Sequence, residues 1–359
     1  MIFFKKRKPK TKYELLCLIS KQKIKLENID ISNITDLSLL FMDCHREDWN
    51  GLKTWDVSKV ENMNGIFSNS NFNGDISQWD VSNVKNMSGM FKGTTFDGDI
   101  SNWNVSNVED MNHMFEHSKF NQDISNWNVS NVKDMSRMFA ESQFNSDISK
   151  WNVSNVKDMS WMFYKSKFNG DISKWNVSNV KSVVGMFDLS KFNKDISRWD
   201  VSNVEYMNMM FSNSYFNQDI SNWNVSNVKN MSFMFRGSNF NGDISQWDVS
   251  NVRSMTYMFE LSDFDKEISK WDLSNVNDMS FMFWKSTFQK PINKLKLKEN
   301  VKIDFLYGDV RFDVCRLPKN VVKYIFECVR DKINVVFEWS FSKSVDQNEI
   351  TKLIEKIKK

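Results

Sequence analysis

Apolar and polar positions recur along this chain with a period of 24 residues. Trp marks the period at Trp55, Trp79, Trp103, Trp127, Trp151, Trp175, Trp199, Trp223, Trp247 and Trp271, and Phe follows it from Phe72 to Phe288. One unit, from Phe72, reads FNGDISQWDVSNVKNMSGMFKGTT. Near-copies in register over most of the chain are the signature of a solenoid, and they set the domain count in place of chain length. Within the unit, Ile76, Trp79 and Val81 are apolar among polar Gln78, Asp80 and Ser82, which predicts a short strand. Val84, Met87, Met90 and Phe91 then fall at helical spacing and predict a helix of about two turns, capped by Ser82 or Asn83. Asp97-Gly98 closes the coil as a turn. The expected fold is therefore an α/β repeat solenoid with one short strand and one short helix per coil. Its strands would form a parallel ladder and its helices a convex layer. With neighbouring strands ~4.8 Å apart, the array would span on the order of 50 Å.

The ends depart from the period. Thr11-Lys12-Tyr13-Glu14 reads as a capping box before Leu15, Leu16, Leu18 and Ile19, so a helix over 11–21 is expected to cover the first coil. Pro291 is read as the end of the last repeat. Residues 301–340 read as two strands, a helix from Pro318 to Val329 and a strand through Val335, Phe337 and Trp339, with a final helix from Gln347. The expected organisation is a basic tail and capping helix over 1–29, the array over 30–292 and a small α+β unit over 293–359.

Composition narrows the class. A hydrophobic content of 41% and an aromatic content of 14% exclude a disordered chain. Ala is nearly absent, against a bundle of long helices. The net charge of +3 hides an acidic array between two basic ends, which argues against nucleic acid as the partner of the array. The run Lys5, Lys6, Arg7, Lys8, Lys10, Lys12 reads as a solvated tail, with contact to phosphate or anionic lipid as the alternative. No apolar h-region follows Ile2-Phe3-Phe4, and no apolar run is long enough to span a membrane, so the residues alone point to the cytoplasm. Cys17, Cys44, Cys315 and Cys328 lie outside the regular repeats without a CxxC pair, which fits a reduced compartment.

The pattern Ile-x-x-Trp-x-Val-x-Asn-Val resembles the strand signature of leucine-rich repeats, with the Asn one residue early. The whole unit, as in DISNWNVSNVKDMSRMF at 123–139, looks like the BspA-like leucine-rich repeat, also known as a mycoplasma-type domain of unknown function. PKTKYELLCLI at 9–19 and the half-unit DISNITDLSLLF at 30–41 look like the leader of such arrays. The resemblance covers roughly 9–292, with Val183 in place of the first helical Met and Glu267 in place of the turn Asp. It implies a repeat fold and membership of a family often found on cell surfaces and linked to adhesion. It brings no catalytic residues with it.

Four features are candidates for function. On the expected strand face, the position before Trp reads Gln78, Asn102, Asn126, Lys150, Lys174, Arg198, Asn222, Gln246 and Lys270. Lys150, Lys174 and Arg198 would form a basic spot for an acidic or amide-rich partner, or would simply keep the ladder soluble. On the expected helix, the outward position reads Gly65, Gly89, His113, Arg137, Trp161, Gly185, Met209, Phe233, Tyr257 and Phe281, extended by Tyr206 and Trp284. That stripe would dock a protein partner or a second copy of the chain, or lie under the C-terminal unit, Phe281 and Trp284 above all. The turn row Asp75, Asp99, Asp123, Asp147, Asp171, Asp195, Asp219 and Asp243 supplies too few oxygens per coil for Ca²⁺, so each Asp is expected to accept amides of its own turn. His113 and His117 would share a helix, but they lack a third ligand nearby for zinc. No catalytic residue, cofactor or metal is assigned. The expected function is protein–protein interaction or adhesion on the array; the alternative is an effector or enzyme with its activity in 293–359.

Overall fold

The structure, a computed structural model, describes residues 6–20, 24–290, 295–298 and 301–302. Helix α1 spans Lys12–Ile19, with Thr11 as N-cap accepting the Glu14 amide. The Glu14 carboxylate takes the Lys10 amide, one residue ahead of a standard capping box, at 2.7 Å. Leu15 and Ile19 of α1 are buried in the core, so the helix covers the first coil, while Leu16 stays exposed. Within the described residues the basic run is tied to the first coil. Arg7 pairs in parallel with Ile29, Lys8 binds Asp30 at 3.2 Å, and Lys12 binds Asp36 at 3.1 Å. These contacts close the first edge of the stack.

From there the chain is a repeat solenoid. Parallel bridges link Asp36, Asn62, Asn86, Asp110, Asp134, Asp158, Ser182, Tyr206, Asn230, Ser254, Asp278 and Lys302 in successive coils. Strands β1 (Asp272–Leu273) and β2 (Lys296–Leu297) pair in parallel, so the register runs on beyond residue 292. Pro291 itself lies outside the described residues, as do the helices and strands expected beyond 302.

Every apolar position of the unit points inward, as its pattern requires. Ile76, Trp79, Val81, Val84, Met87, Met90, Phe91 and Phe96 are all buried, as are their counterparts in the other coils. The Phe side chains stack into two columns: Phe91 lies 4.3 Å from Phe96 within a coil and 5.7 Å from Phe115 in the next. A single coil could bury none of this, so stability resides in the interfaces between coils.

The backbone differs from the expected strand and helix. Where a strand was expected, Trp79 donates its amide to Ile76 and Val84 donates to Val81, so the segment is two tight turns. Asp75 and Asp80 accept the amides of Ser77 and Ser82, which favours turns over an extended ladder. Side chains bridge the coils there instead. The indole Nε1 of Trp103 donates to the Ile76 carbonyl of the preceding coil at 3.2 Å, and Asn107 Nδ2 donates to the Ser82 carbonyl at 2.7 Å. Both bonds recur coil after coil, as at Trp151 and Asn155.

Where a helix was expected, the backbone forms a ladder of turns. The amides of Met87, Gly89, Phe91 and Gly93 donate to Asp110, Asn112, Met114 and Glu116 of the next coil. Those of Met90, Lys92 and Thr94 donate three residues back. A helix would consume all these groups internally, over a length too short to repay nucleation. Asn86 also draws the Ser88 amide into an Asx turn, which competes with helix. Turn ladder and helix both bring residues three apart to the same side, which explains why the spacing alone did not separate them.

One row carries a local cost. Asp110, Asp134 and Asp158 stack in successive coils. Burial, with the neighbouring Asp134 charge, pushes the Asp110 carboxyl above the usual range. Sister coils place Asn62, Asn86 and Asn230 there and keep the same turn bond. Asp134→Asn should therefore keep the Ser136 amide satisfied and relieve the repulsion, a gain of about 1 kcal/mol at neutral pH. The gain should fade as the pH drops and the carboxyls protonate. Urea titration of wild type and variant measures it; a lower midpoint for the variant would contradict it.

Candidate functional site

The side of each coil from the bridge residue to the next buried Phe is where the coils differ most from one another. The turns around Asp75–Asn83 repeat with little change apart from the residue before Trp, whereas several positions of the turn-ladder side change from coil to coil. Its outermost row holds Gly65, Gly89, His113, Arg137, Trp161, Gly185, Met209, Phe233, Tyr257 and Phe281, all with φ near +60°. The row expected on a convex helix is thus a row of left-handed turn residues. Side chains other than Gly are strained in that region, so each must recover that cost through its contacts.

The aromatics recover it by stacking. Phe233 and Tyr257 lie 4.7 Å apart and 7° from parallel, and Tyr257 and Phe281 lie 4.6 Å apart and 4° from parallel. Phe281 meets Trp284 edge-on at 6.1 Å. Trp161 meets Tyr164 edge-on at 5.2 Å and carries Arg137 over its ring at 5.3 Å. Its indole lies against the backbone of Gly185, where an added Cβ would stand 2.4 Å from Cε3. Gly185 is therefore the notch that lets the Trp161 ring lie down. Trp161, Met209, Phe233, Tyr257, Phe281 and Trp284 are all half-buried. Around them Leu189, Tyr206, Tyr215 and Leu261 are exposed at 43%, 43%, 61% and 48%, so the stripe is the centre of a wider apolar patch. Leu189, Tyr215 and Leu261 escaped the sequence reading. Their rows become visible when the 24-residue register is read column by column and not as a helical wheel.

The basic spot lies elsewhere. Lys150, Lys174 and Arg198 are exposed at the turn before each Trp, on a corner and not on a strand face. None makes an ion pair among the described residues, but acids stand near each of them. The charge of Lys150 acts on Asp123 and Asp147, that of Lys174 on Asp171, and that of Arg198 on Asp195. Those Asp residues are held below the usual carboxylate range, first by the backbone amide and then by the hydroxyl of the Ser two residues on. Each turn Asp thus serves its own turn, and it also offsets the cation beside it.

The histidines sit in left-handed turns and not on a helix, with φ of 56° and 53° for His113 and His117. They face different acids: His113 Nδ1 lies 2.6 Å from Glu116 and His117 Nε2 lies 3.5 Å from Glu141. Glu116 is buried and also pairs with Lys92 at 2.6 Å and Arg137 at 3.5 Å. Among the described residues no group of three or more His, Cys, Asp or Glu is placed to hold a metal ion. Asp188, beside Gly185, keeps one buried oxygen without a hydrogen bond, and burial pushes its carboxyl above the usual range. No helix among the described residues is long and apolar enough to cross a membrane. The alternative that places an activity in 293–359 falls almost wholly outside the described residues.

No curated protein and no solved structure matches the chain. One family model does, described as a mycoplasma protein of unknown function, DUF285. It matches in overlapping passes over residues 17–119, 94–191, 141–238, 167–260 and 213–312, which together take in the whole stack of coils. The chain therefore belongs to this family of mycoplasma repeat proteins.

Proposed function

We propose that the chain is a binding scaffold, which holds a protein partner against the turn-ladder side of its coils and performs no catalysis. The observation that carries this reading is the half-buried stack of Phe233, Tyr257 and Phe281 in strained backbone positions. Gly fits those positions without strain and stands there at Gly65, Gly89 and Gly185. Large aromatics are costly there, and a patch of exposed apolar side chains surrounds them. Because the rings face one another, they turn edges and not faces to solvent. A sugar ring or nucleobase stacks on a face, so the arrangement favours protein side chains. The likeness of the unit to BspA-like leucine-rich repeats supports the same reading, with adhesion as its setting. The corner cations are a weaker candidate, because acids beside them offset their charge.

The test compares cross-linked partners of the full chain with those of Phe233→Asn/Tyr257→Asn. Asn tolerates left-handed backbone and already occupies such a position at Asn213, so the stack should survive. The variant should lose partners that Lys150→Glu/Lys174→Glu/Arg198→Glu retains. An unchanged partner set for the stripe variant would overturn the reading.

A further inference from the structure

The ladder of turns has a direction, and its first rung is open. Each coil donates alternate amides to the coil that follows: Leu37, Leu39, Phe41 and Asp43 donate to the carbonyls of Asn62, Asn64, Ile66 and Ser68. The counterpart carbonyls of the first coil belong to Asp36, Ser38, Leu40 and Met42, and among the described residues no donor reaches them. The Thr35 amide finds no acceptor there either, although its counterparts Glu61, Lys85 and Glu109 each donate to the coil before. Arg7 and Lys8 close this edge at its corner, and Leu15 and Ile19 of α1 cover its core. Lys12 holds Asp36 and Ser38 only by their side chains. The ladder itself is left unpaired, and the side chains along it are bare. Leu39 is 51% exposed and Met42 44%, whereas Gly65 and Ser68 are buried at the same positions of the next coil. An unpaired row of backbone groups is a template for another chain.

We propose that the first coil is an end-on docking edge, where an extended segment of a partner protein adds one further rung parallel to residues 35–42. The segment's amides meet the carbonyls of Asp36, Ser38, Leu40 and Met42, and its apolar side chains cover Leu39 and Met42. This contact continues the one already made between successive coils, so the segment that fits best resembles a coil in sequence. A second copy of the chain suits the edge less well. Its inner coils spend these groups on one another, and its far row is already joined at Met279 to Lys302. The edge stands apart from the aromatic patch around Phe233 and Tyr257.

A labelled synthetic peptide with the sequence of residues 132–141 is the probe, titrated against the full chain by fluorescence anisotropy. Within the array the amides of Met135, Arg137, Phe139 and Glu141 face the following coil, so those of the peptide should face this edge. N-methylation of the peptide at the positions of Arg137 and Phe139 should weaken binding about tenfold, because it removes two backbone hydrogen bonds. Leu39→Gly/Met42→Ser places the residues of the next coil at the edge and should weaken binding several-fold. Phe233→Asn/Tyr257→Asn should bind the peptide as the wild type does. A photoreactive group on the peptide should cross-link to residues 35–44. No binding, cross-links elsewhere, loss of binding in the patch variant, or equal binding by the methylated peptide or the edge variant would overturn the proposal. Oligomers that form without peptide and that Leu39→Gly/Met42→Ser dissolves would overturn it in favour of a second copy. Each of these results leaves the reading of the aromatic patch to its own cross-linking test.

Discussion

Replacing Trp151 with Ala should cost about 4 kcal/mol and should split the unfolding of the array. Two interactions would be lost. The indole is buried among the core residues, 6.2 Å from Phe139 between ring centres. Removing a ring of that size from a packed interior costs roughly 3–5 kcal/mol. Its Nε1 donates to the Ile124 carbonyl at 3.1 Å, but that carbonyl also accepts the Trp127 amide. Loss of the indole therefore leaves no orphaned acceptor, and the hydrogen bond contributes only about 1 kcal/mol. Packing wins over the bond, so Trp151→Phe, which keeps most of the ring, should cost less than half as much as Trp151→Ala. Because each coil contacts only its neighbours, a weak interface in mid-array should let the two flanks unfold apart. Urea denaturation followed by circular dichroism should show a broadened or two-step transition for the Ala variant. A single transition at the wild-type midpoint would refute the account, and equal losses for Ala and Phe would place the weight on the hydrogen bond.

That outcome bears on what a sequence of this kind discloses. Trp79, Val81, Met87, Met90 and Phe91 are buried as their pattern required, because inward spacing is set by local chain geometry. The route of the backbone between them was not legible. The amide of Met87 is satisfied by Asp110, and the indole of Trp103 by Ile76. These partners lie about one coil away, and short windows of sequence hold no trace of them. Val84, Met87 and Phe91 read equally well as a helix or as a ladder of turns. The decisive hints were the Asn86 and Ser88 side chains, which compete with helix, and the recurrence of Gly65, Gly89 and Gly185 in one row. That recurrence marks a left-handed position that Phe233 and Tyr257 must share.

The candidate face was legible for a related reason. Residues outside the buried core vary from coil to coil, so Trp161, Met209, Phe233, Tyr257 and Phe281 stood out in their column whatever backbone carried them. Lys150, Lys174 and Arg198 stood out in the same way. A column shows charge without its surroundings, however, and the offsetting Asp123, Asp147, Asp171 and Asp195 became apparent only with the turns in place. The exposed Leu189 and Leu261 needed the second left-handed row, which no helical wheel contains.

Glu116→Gln should be the most damaging polar substitution, and its cost should depend on pH in a definite direction. Burial alone would raise the Glu116 carboxyl, but hydrogen bonds and charge from His113 and Lys92 overcome it and bring the pKa down to about 2. Its side chain is only 6% exposed, so solvent does little to weaken the cluster. Removing one member of a buried charge group leaves the others uncompensated and costs about 3 kcal/mol. A carboxyl whose folded pKa lies below its unfolded value stabilises the fold fully above the unfolded value, near 4.5 here. That contribution falls away as the pH drops toward about 2, where the folded state also takes up the proton. The gap in unfolding free energy between wild type and Glu116→Gln should be widest near neutrality and should close across this acid window. Urea titrations of both proteins from neutral pH downward measure the gap directly. A gap that stays constant through the window would show that the carboxylate charge is not what holds Lys92, His113 and Arg137 together, and that Gln loses only shape.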